Sequence, residues 1–199
     1  MYAVGLFGEQ CGYTLNGSHS VNTITCENIR ATVSGKYAVN VDDGGIVNII
    51  GGTISGGKAT GYGGSLRLES GAAVLNIHGG TMTAGSGTCA AGGGLIYMTS
   101  GEVNVHGGKL VGGTVSSSGA TICVEGTNAK VNILGGELVG GSAKNGGNIH
   151  VVKGTLTISG GTIKAGSASN GNTIAMYGGA NSKLILKNKV NLQGMFLYI

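Results

Sequence analysis

One eight-residue motif recurs along the chain at a fixed interval, and it limits the possible folds more than any other feature. The motif is apolar, Asn, apolar, any residue, Gly-Gly, any residue, apolar. Successive copies 28 residues apart begin at Val47, Leu75, Val103 and Val131, and looser copies begin at Leu156 and Leu184. Such a period is typical of a solenoid, in which each repeat is a structural unit packed on its neighbours.

Each repeat also contains a second, alternating segment before the motif. These segments are Val39–Val41, Leu66–Leu68, Ile96–Met98, Ile122–Val124, Ile149–Val151 and Ile174–Met176. Alternation over such short stretches indicates strands rather than helices. Glycine supplies the sharp turns between them because it tolerates positive φ. We predict an all-β fold, a single-stranded parallel β-helix (β-solenoid) with three short strands per coil and about 28 residues per coil.

The repeat also divides the chain. Residues 1–36 depart from the period and are predicted to form an N-terminal cap and an irregular first coil, whereas 37–199 form the solenoid repeats, truncated or capped at the C-terminal end. The start shows no basic segment followed by an apolar stretch, so no signal peptide is visible. The abruptly apolar residues 194–199 favour a segment cut from a longer exported chain.

Composition argues against several classes of function. The formal charge of +4 rests on 12 scattered Lys and Arg residues, without the basic stripe typical of nucleic-acid binding. The chain contains no run of about 18 apolar residues, so no membrane-spanning helix is predicted. Glycoside hydrolysis generally needs two carboxyl groups about 5–10 Å apart. Of the 8 acidic residues only Asp42 and Asp43 are adjacent, and we interpret them as turn formers before Gly44. We therefore expect no enzyme activity and no cofactor.

The stretch Gly51–Ala59, followed by Gly63–Leu66, carries a family resemblance. It resembles the right-handed parallel β-helix repeats of large bacterial surface and adhesin-like proteins, which belong to the pectate-lyase-like superfamily. The resemblance extends over roughly residues 37–199. It implies the fold and leaves the function open, because that superfamily includes enzymes, adhesins and passive stalks.

The first strand of each coil predicts an outward column in which Arg67, Tyr97 and His150 stand in series with Cys123 and Ala175. Tyrosine stacks on sugar rings, and Arg or His donates hydrogen bonds. The column is therefore our candidate ligand-binding face, a shallow strip for glycans. The alternative is an ordinary mixed surface ladder.

Two further columns follow from the period. Stacked amides can hydrogen-bond from coil to coil, and a structural Asn ladder is predicted for Asn48, Asn76, Asn104 and Asn132. His78 and His106 share another column and form a weak candidate pair for a metal. The column's other members, Ile50, Leu134 and Ser159, supply no third ligand. No metal site is therefore predicted. In a separate column, Lys109 should lie beside Glu137.

The four cysteines, Cys11, Cys26, Cys89 and Cys123, allow three complete pairings. Cys11 and Cys26 would close a loop of the cap in an oxidising compartment. No CxxC motif is present, so zinc binding is not indicated.

These features favour a non-catalytic β-solenoid segment of a cell-surface or extracellular protein. It would act as a rigid stalk or as an adhesin-like surface for glycans or surface proteins. Two alternatives stay open: a carbohydrate-active β-helix enzyme of the polysaccharide lyase or hydrolase type, and a self-assembling fibre protomer. Parallel strand edges at the ends of a solenoid invite end-to-end self-association.

Overall fold

The computed structural model describes residues 23–27, 29–32, 39–41, 44–56, 65–69, 71–85, 92–177, 179–188, 190–194 and 197–199. Within these ranges the chain winds in coils of three short strands. Every strand pairs in parallel with the equivalent strand of the next coil. The predicted β-solenoid with a repeat of about 28 residues is confirmed.

Three seven-stranded sheets, here called A, B and C, form the sides of the coil. Sheet A contains β1 (Thr23–Cys26), β4 (Ile46–Ile49), β7 (Val74–Ile77), β10 (Glu102–Val105), β13 (Lys130–Ile133), β17 (Gly154–Ile158) and β21 (Ser182–Leu186). Sheet B contains β2 (Ile29–Thr32), β5 (Gly52–Ser55), β8 (Thr81–Thr83), β11 (Lys109–Val111), β14 (Glu137–Val139), β18 (Thr162–Lys164) and β22 (Asn191–Gln193). Sheet C contains β3 (Val39–Val41), β6 (Leu66–Leu68), β9 (Ile96–Met98), β12 (Ile122–Val124), β16 (Ile149–Val151), β20 (Ile174–Met176) and β23 (Leu197–Tyr198).

The register follows the sequence repeat. Asn104 pairs with Asn76 on one side and with Asn132 on the other. The first coil is shorter, because Thr23 of β1 pairs with Ile46 rather than with a residue 28 positions later. Strands β1 and β2 thus lie within the region expected to be irregular, whereas residues 1–22 are outside the described part of the chain.

The core is a stack of aliphatic side chains that alternate with outward residues along each strand. In one coil Val103 and Val105 of sheet A and Leu110 of sheet B are fully buried. Burying each such side chain stabilises the fold by about 1.5–3 kcal/mol. Because successive side chains of a strand point to opposite faces, the residues between them remain available for an outer surface.

The Gly-Gly pair of each motif forms the corner between sheets A and B. Gly108 has φ of 84°, a conformation that glycine adopts without strain. At Gly107 an added Cβ would overlap the carbonyl oxygen of His78 in the coil below. One glycine is therefore needed for its backbone conformation and the other for the close approach of two coils.

The corner between sheets B and C carries an excursion, here called the lobe and defined as residues 114–118, 142–145 and 167–170. Two of its segments, β15 (Ser142–Asn145) and β19 (Ser167–Asn170), form a two-stranded parallel sheet. Each neck is closed by a backbone hydrogen bond, such as that from Gly141 N to Gly147 O at 2.8 Å. The described residues contain one short 3-10 helix, Gly179–Asn181, and no helix able to cross a membrane.

Candidate functional site

The outer face of sheet C contains the predicted column. The strand register places Arg67, Tyr97, Cys123, His150 and Ala175 side by side across five strands. The exposure of this column differs from the prediction. Tyr97 is only 2% exposed and His150 only 5%. Tyr97 and His150 are therefore not part of an open strip, because this section of the column is covered, and the ligand-binding role of Arg67, Tyr97 and His150 stays a prediction.

The cover comes from the glycine-rich segment that precedes the strand. A Cβ added to Gly92 would come within 2.9 Å of Cys123 Sγ, and one added to Gly93 within 2.9 Å of Tyr97 Cβ. Both glycines also have positive φ, 111° and 72°. A segment without side chains can thus lie directly on the outer face of the sheet and exclude solvent from it.

Beneath this cover the polar groups form a connected network. Tyr97 Oη donates a hydrogen bond to Glu125 Oε2 at 2.8 Å. Cys123 Sγ lies 3.8 Å from Glu125 Oε1 and 4.0 Å from His150 Nδ1. At one end, Arg67 pairs with Glu69, and its guanidinium lies 5.9 Å from the centroid of the Tyr97 ring. Glu69 and Glu125 are not among the site residues predicted from the sequence. The sequence feature that could have identified both residues is their position directly after a strand of sheet C.

Burial controls the protonation of this network. Desolvation raises the pKa of the Cys123 thiol well above its ordinary value, and the neighbouring Glu125 carboxylate raises it further. Desolvation and the bond to Glu125 also raise the pKa of Tyr97. Desolvation lowers the pKa of His150 to about 4. At neutral pH all three groups are uncharged, so Cys123 and His150 do not form the thiolate–imidazolium pair of a cysteine nucleophile.

His150 links the covered network to an exposed aromatic pair. Its ring meets Tyr177 edge-on at a centroid distance of 6.0 Å. Tyr177 in turn stacks on Tyr198 at 6.3 Å. Both tyrosines are exposed, by 50% and 42%. His150 Nε2 is buried and has no hydrogen-bond partner among the described residues.

A second polar ladder runs along the lobe. Asn170 Nδ2 donates to Asn145 Oδ1 at 2.8 Å, and Asn145 Nδ2 donates to Ser118 Oγ at 3.2 Å. This ladder was not predicted from the sequence. The sequence feature that could have identified it is the segment Ser-Ala-X-Asn-Gly, which occurs at 142–146 and again at 167–171.

The asparagine ladder of sheet A is continuous. Nδ2 of Asn76 donates to Oδ1 of Asn48 at 2.8 Å, Asn104 donates to Asn76 at 3.0 Å, and Asn132 donates to Asn104 at 2.8 Å. Asn132 also donates to Glu102 Oε1 at 3.0 Å. Each amide is satisfied only in one register, so the column holds neighbouring coils in alignment.

Replacing Asn104 with alanine should lower the free energy of unfolding by about 1–2 kcal/mol, because two amide–amide bonds are lost. Urea unfolding followed by circular dichroism measures the change. Asn181→Ala, which removes an exposed amide outside the ladder, is the control and should stay within about 0.5 kcal/mol of the parent protein. Equal losses in the two variants would show that the ladder contributes nothing specific.

The remaining predicted groups lie as follows. His78 and His106 are exposed and stacked, with centroids 4.6 Å apart. No group of three or more His, Cys, Asp or Glu residues in the described part of the chain could hold a metal ion.

Lys109 lies 3.5 Å from Glu137, as expected from the column, and Lys164 approaches the same carboxylate from the next coil. Cys11, Cys89, Asp42 and Asp43, and the side chain of Cys26, fall outside the described residues.

An open cleft of about 500 Å³ lies at the corner between sheets C and A. It runs across three successive coils. Its wall is apolar at one end and polar at the other, and its lining residues are Gly71, Ala72, Ala73, Val74, Ser100, Gly101, Glu102, Asn128 and Lys130. This cleft could not be predicted from the repeat, because its residues come from three turns of different length and composition.

No family model matches the chain, and no curated protein or solved structure is significantly similar to it. The class that the geometry defines is the parallel β-solenoid.

Proposed function

We propose that this chain is a non-catalytic β-solenoid segment that acts as a rigid scaffold and presents binding surfaces, as part of a cell-surface or extracellular protein. The observation that carries the proposal is the state of the cluster most suggestive of chemistry. Cys123 is fully buried, His150 nearly so, and both are neutral at pH 7. A substrate has no access to either group.

The carboxylates support the same proposal. Glu69 is paired with Arg67, Glu125 accepts from Tyr97, and Glu102 accepts from Asn132. Glu137 lies between two lysines, which lower its pKa mainly through a hydrogen bond from Lys164. These four groups neutralise or fix neighbouring side chains. The lowered pKa of Glu137 is the opposite of the raised pKa that a general acid requires at neutral pH.

A rigid scaffold should keep fixed distances along its length. Spin labels introduced through a non-canonical amino acid at Thr53 of β5 and Asn191 of β22 leave the native cysteines unchanged. Five strand steps separate these positions, which corresponds to about 24 Å between backbones. Double electron–electron resonance is expected to give one narrow distance distribution, unchanged by dilution. A broad distribution would contradict a rigid scaffold.

The enzyme and fibre alternatives need separate measurements. Incubation with a panel of neutral and acidic polysaccharides should release no reducing ends and no unsaturated products. Release that is lost in Glu125→Gln or Glu102→Gln would establish the enzyme instead. Electron microscopy over a range of protein concentrations tests for filaments, whose appearance would favour the fibre protomer.

A further inference from the structure

The cleft between sheets C and A is part of a longer corner formed by two residue columns. The outer column contains Ala72, Ser100 and Asn128, each two residues before its sheet A neighbour, and Lys153 lies in the shorter turn of the next coil, with its backbone N 3.4 Å from Val124 O. In the second column the strand register gives, in order, Val74, Glu102, Lys130, Thr155 and Lys183. The corner thus changes from apolar to cationic along the solenoid axis.

Three exposed lysines, Lys130, Lys153 and Lys183, supply that cationic half. None of them forms an ion pair with a described carboxylate, whereas Lys109 and Lys164 both contact Glu137. The one glutamate within the two columns, Glu102, keeps its negative charge while it accepts a hydrogen bond from Asn132. It is the neighbour of Lys130 in the strand register and offsets one of the three positive charges. The corner therefore keeps an excess of positive charge.

The spacing of the charges is regular. Lys130 and Lys183 occupy the same column two strands apart, a distance of about 10 Å along the axis. A linear glycan with one acidic group per disaccharide repeats its charge at about this interval. Single-stranded nucleic acids carry more closely spaced charges, and they bind through aromatic stacking platforms. No aromatic side chain is among the described residues that line the cleft.

The lining of the cleft suits sugar rings. Ala72 and Val74 offer an apolar wall for C–H faces, while Ser100 and Asn128 place hydroxyl and amide groups beside it. Such alternation of donors and acceptors matches hydroxyl groups, which both donate and accept. A peptide strand would need an open sheet edge, and in this corner the backbone bonds run between coils, as from Lys130 N to Gly101 O at 3.0 Å.

We propose that the corner formed by the cleft and by Lys130, Lys153 and Lys183 binds a linear anionic glycan that lies along the solenoid axis. This inference rests on the proposed function and names the ligand class and the surface. The cleft holds a sugar ring, and the three ammonium groups pair with carboxylate or sulfate groups of the following residues. Binding is reversible and weakens as salt screens the charges.

The test uses the full chain and end-labelled oligosaccharides in fluorescence anisotropy at low salt. Hyaluronan supplies carboxylates alone and keratan sulfate supplies sulfates alone, which separates the two sources of charge. Dextran is the neutral probe, and oligo(dT) tests for a general polyanion site. We expect binding to at least one acidic glycan, little binding to dextran, and weaker binding to oligo(dT).

A pair of matched variants locates the site. The triple variant Lys130→Gln, Lys153→Gln, Lys183→Gln is expected to lose at least tenfold in affinity. The control Lys109→Gln, Lys144→Gln, Lys164→Gln removes the same charge from sheet B and the lobe and should lose less than twofold. Equal losses in both triples, no binding to either acidic glycan, or tighter binding to oligo(dT) would each overturn the proposal. Because the spin-label distances and cleavage assays do not depend on glycan binding, failure of this inference is distinguishable from failure of the scaffold.

Discussion

Replacing Gly126 with alanine is expected to unfold the solenoid or to lower its free energy of unfolding by more than about 4 kcal/mol, a loss seen only where a specific steric mechanism operates. Gly126 follows β12 at the corner leading to sheet A. A Cβ at this position would overlap the carbonyl group of Thr99 in the coil below. The obstacle is backbone rather than a flexible side chain, so only a change in the spacing of the coils could relieve it.

That change would affect more than one turn. The backbone of Thr99 is itself bonded to the coil before it, from Thr99 N to Leu68 O at 2.9 Å. Repeat proteins are stabilised by contacts between adjacent repeats, so a separated pair of coils weakens the stack on both sides. Urea unfolding followed by far-ultraviolet circular dichroism measures the loss.

Gly179 provides the matched control. It has φ of +59°, and an added Cβ would meet nothing within 4 Å. Gly179→Ala therefore carries only the strain of a left-handed backbone, about 1–2 kcal/mol. If Gly126→Ala lost no more stability than Gly179→Ala, the close approach of coils at Thr99 would not be a real constraint on this fold.

The sequence predicted the fold and the columns because both follow from the period alone. Once a motif recurs every 28 residues and each copy alternates apolar and polar residues, the parallel register is largely determined. Asn104 must then stand between Asn76 and Asn132, and Lys109 beside Glu137, as the structure shows. The glycine-rich motif does not identify a family, because a shared repeat pattern arises from the geometry of tight coils.

The covering of sheet C could not be predicted in the same way. Alternation shows that Tyr97 and His150 leave the core, but not what lies outside them. The covering segment contains Gly92 and Gly93, whose lack of side chains gives no hydrophobic signal. Buried polar groups normally require hydrogen-bond partners, and here Glu125 comes from a turn that the repeat pattern does not include.

The free energy of unfolding is expected to decrease as the pH falls from about 7 to about 4, because His150 must enter the folded state without a proton. Desolvation lowers the pKa of this imidazole from 6.5 to about 4 in the folded chain. Between these values the unfolded chain binds the proton more readily, so stability is fully present above about pH 7 and is lost on acidification. The full shift corresponds to about 3 kcal/mol, and about 2 kcal/mol is lost by pH 5.

The groups that face His150 do not offset this effect. Cys123 and Tyr177 contact the imidazole, and neither supplies negative charge at acidic pH. The nearby Glu125 carboxylate is engaged by Tyr97 and Cys123. A protonated His150 would therefore be a buried cation without a counter-charge in contact, which favours opening of the cover over sheet C.

The variant His150→Gln separates this contribution from the titration of the glutamates, because glutamine stays neutral throughout. Urea unfolding of both proteins at several pH values should give curves that differ by a constant amount above pH 7 and converge or cross as the pH falls to 4. Nuclear magnetic resonance of the labelled imidazole measures its protonation directly. Parallel curves, or protonation of His150 near pH 6.5 in the folded protein, would show that the imidazole is hydrated and that the cover over sheet C is open in solution.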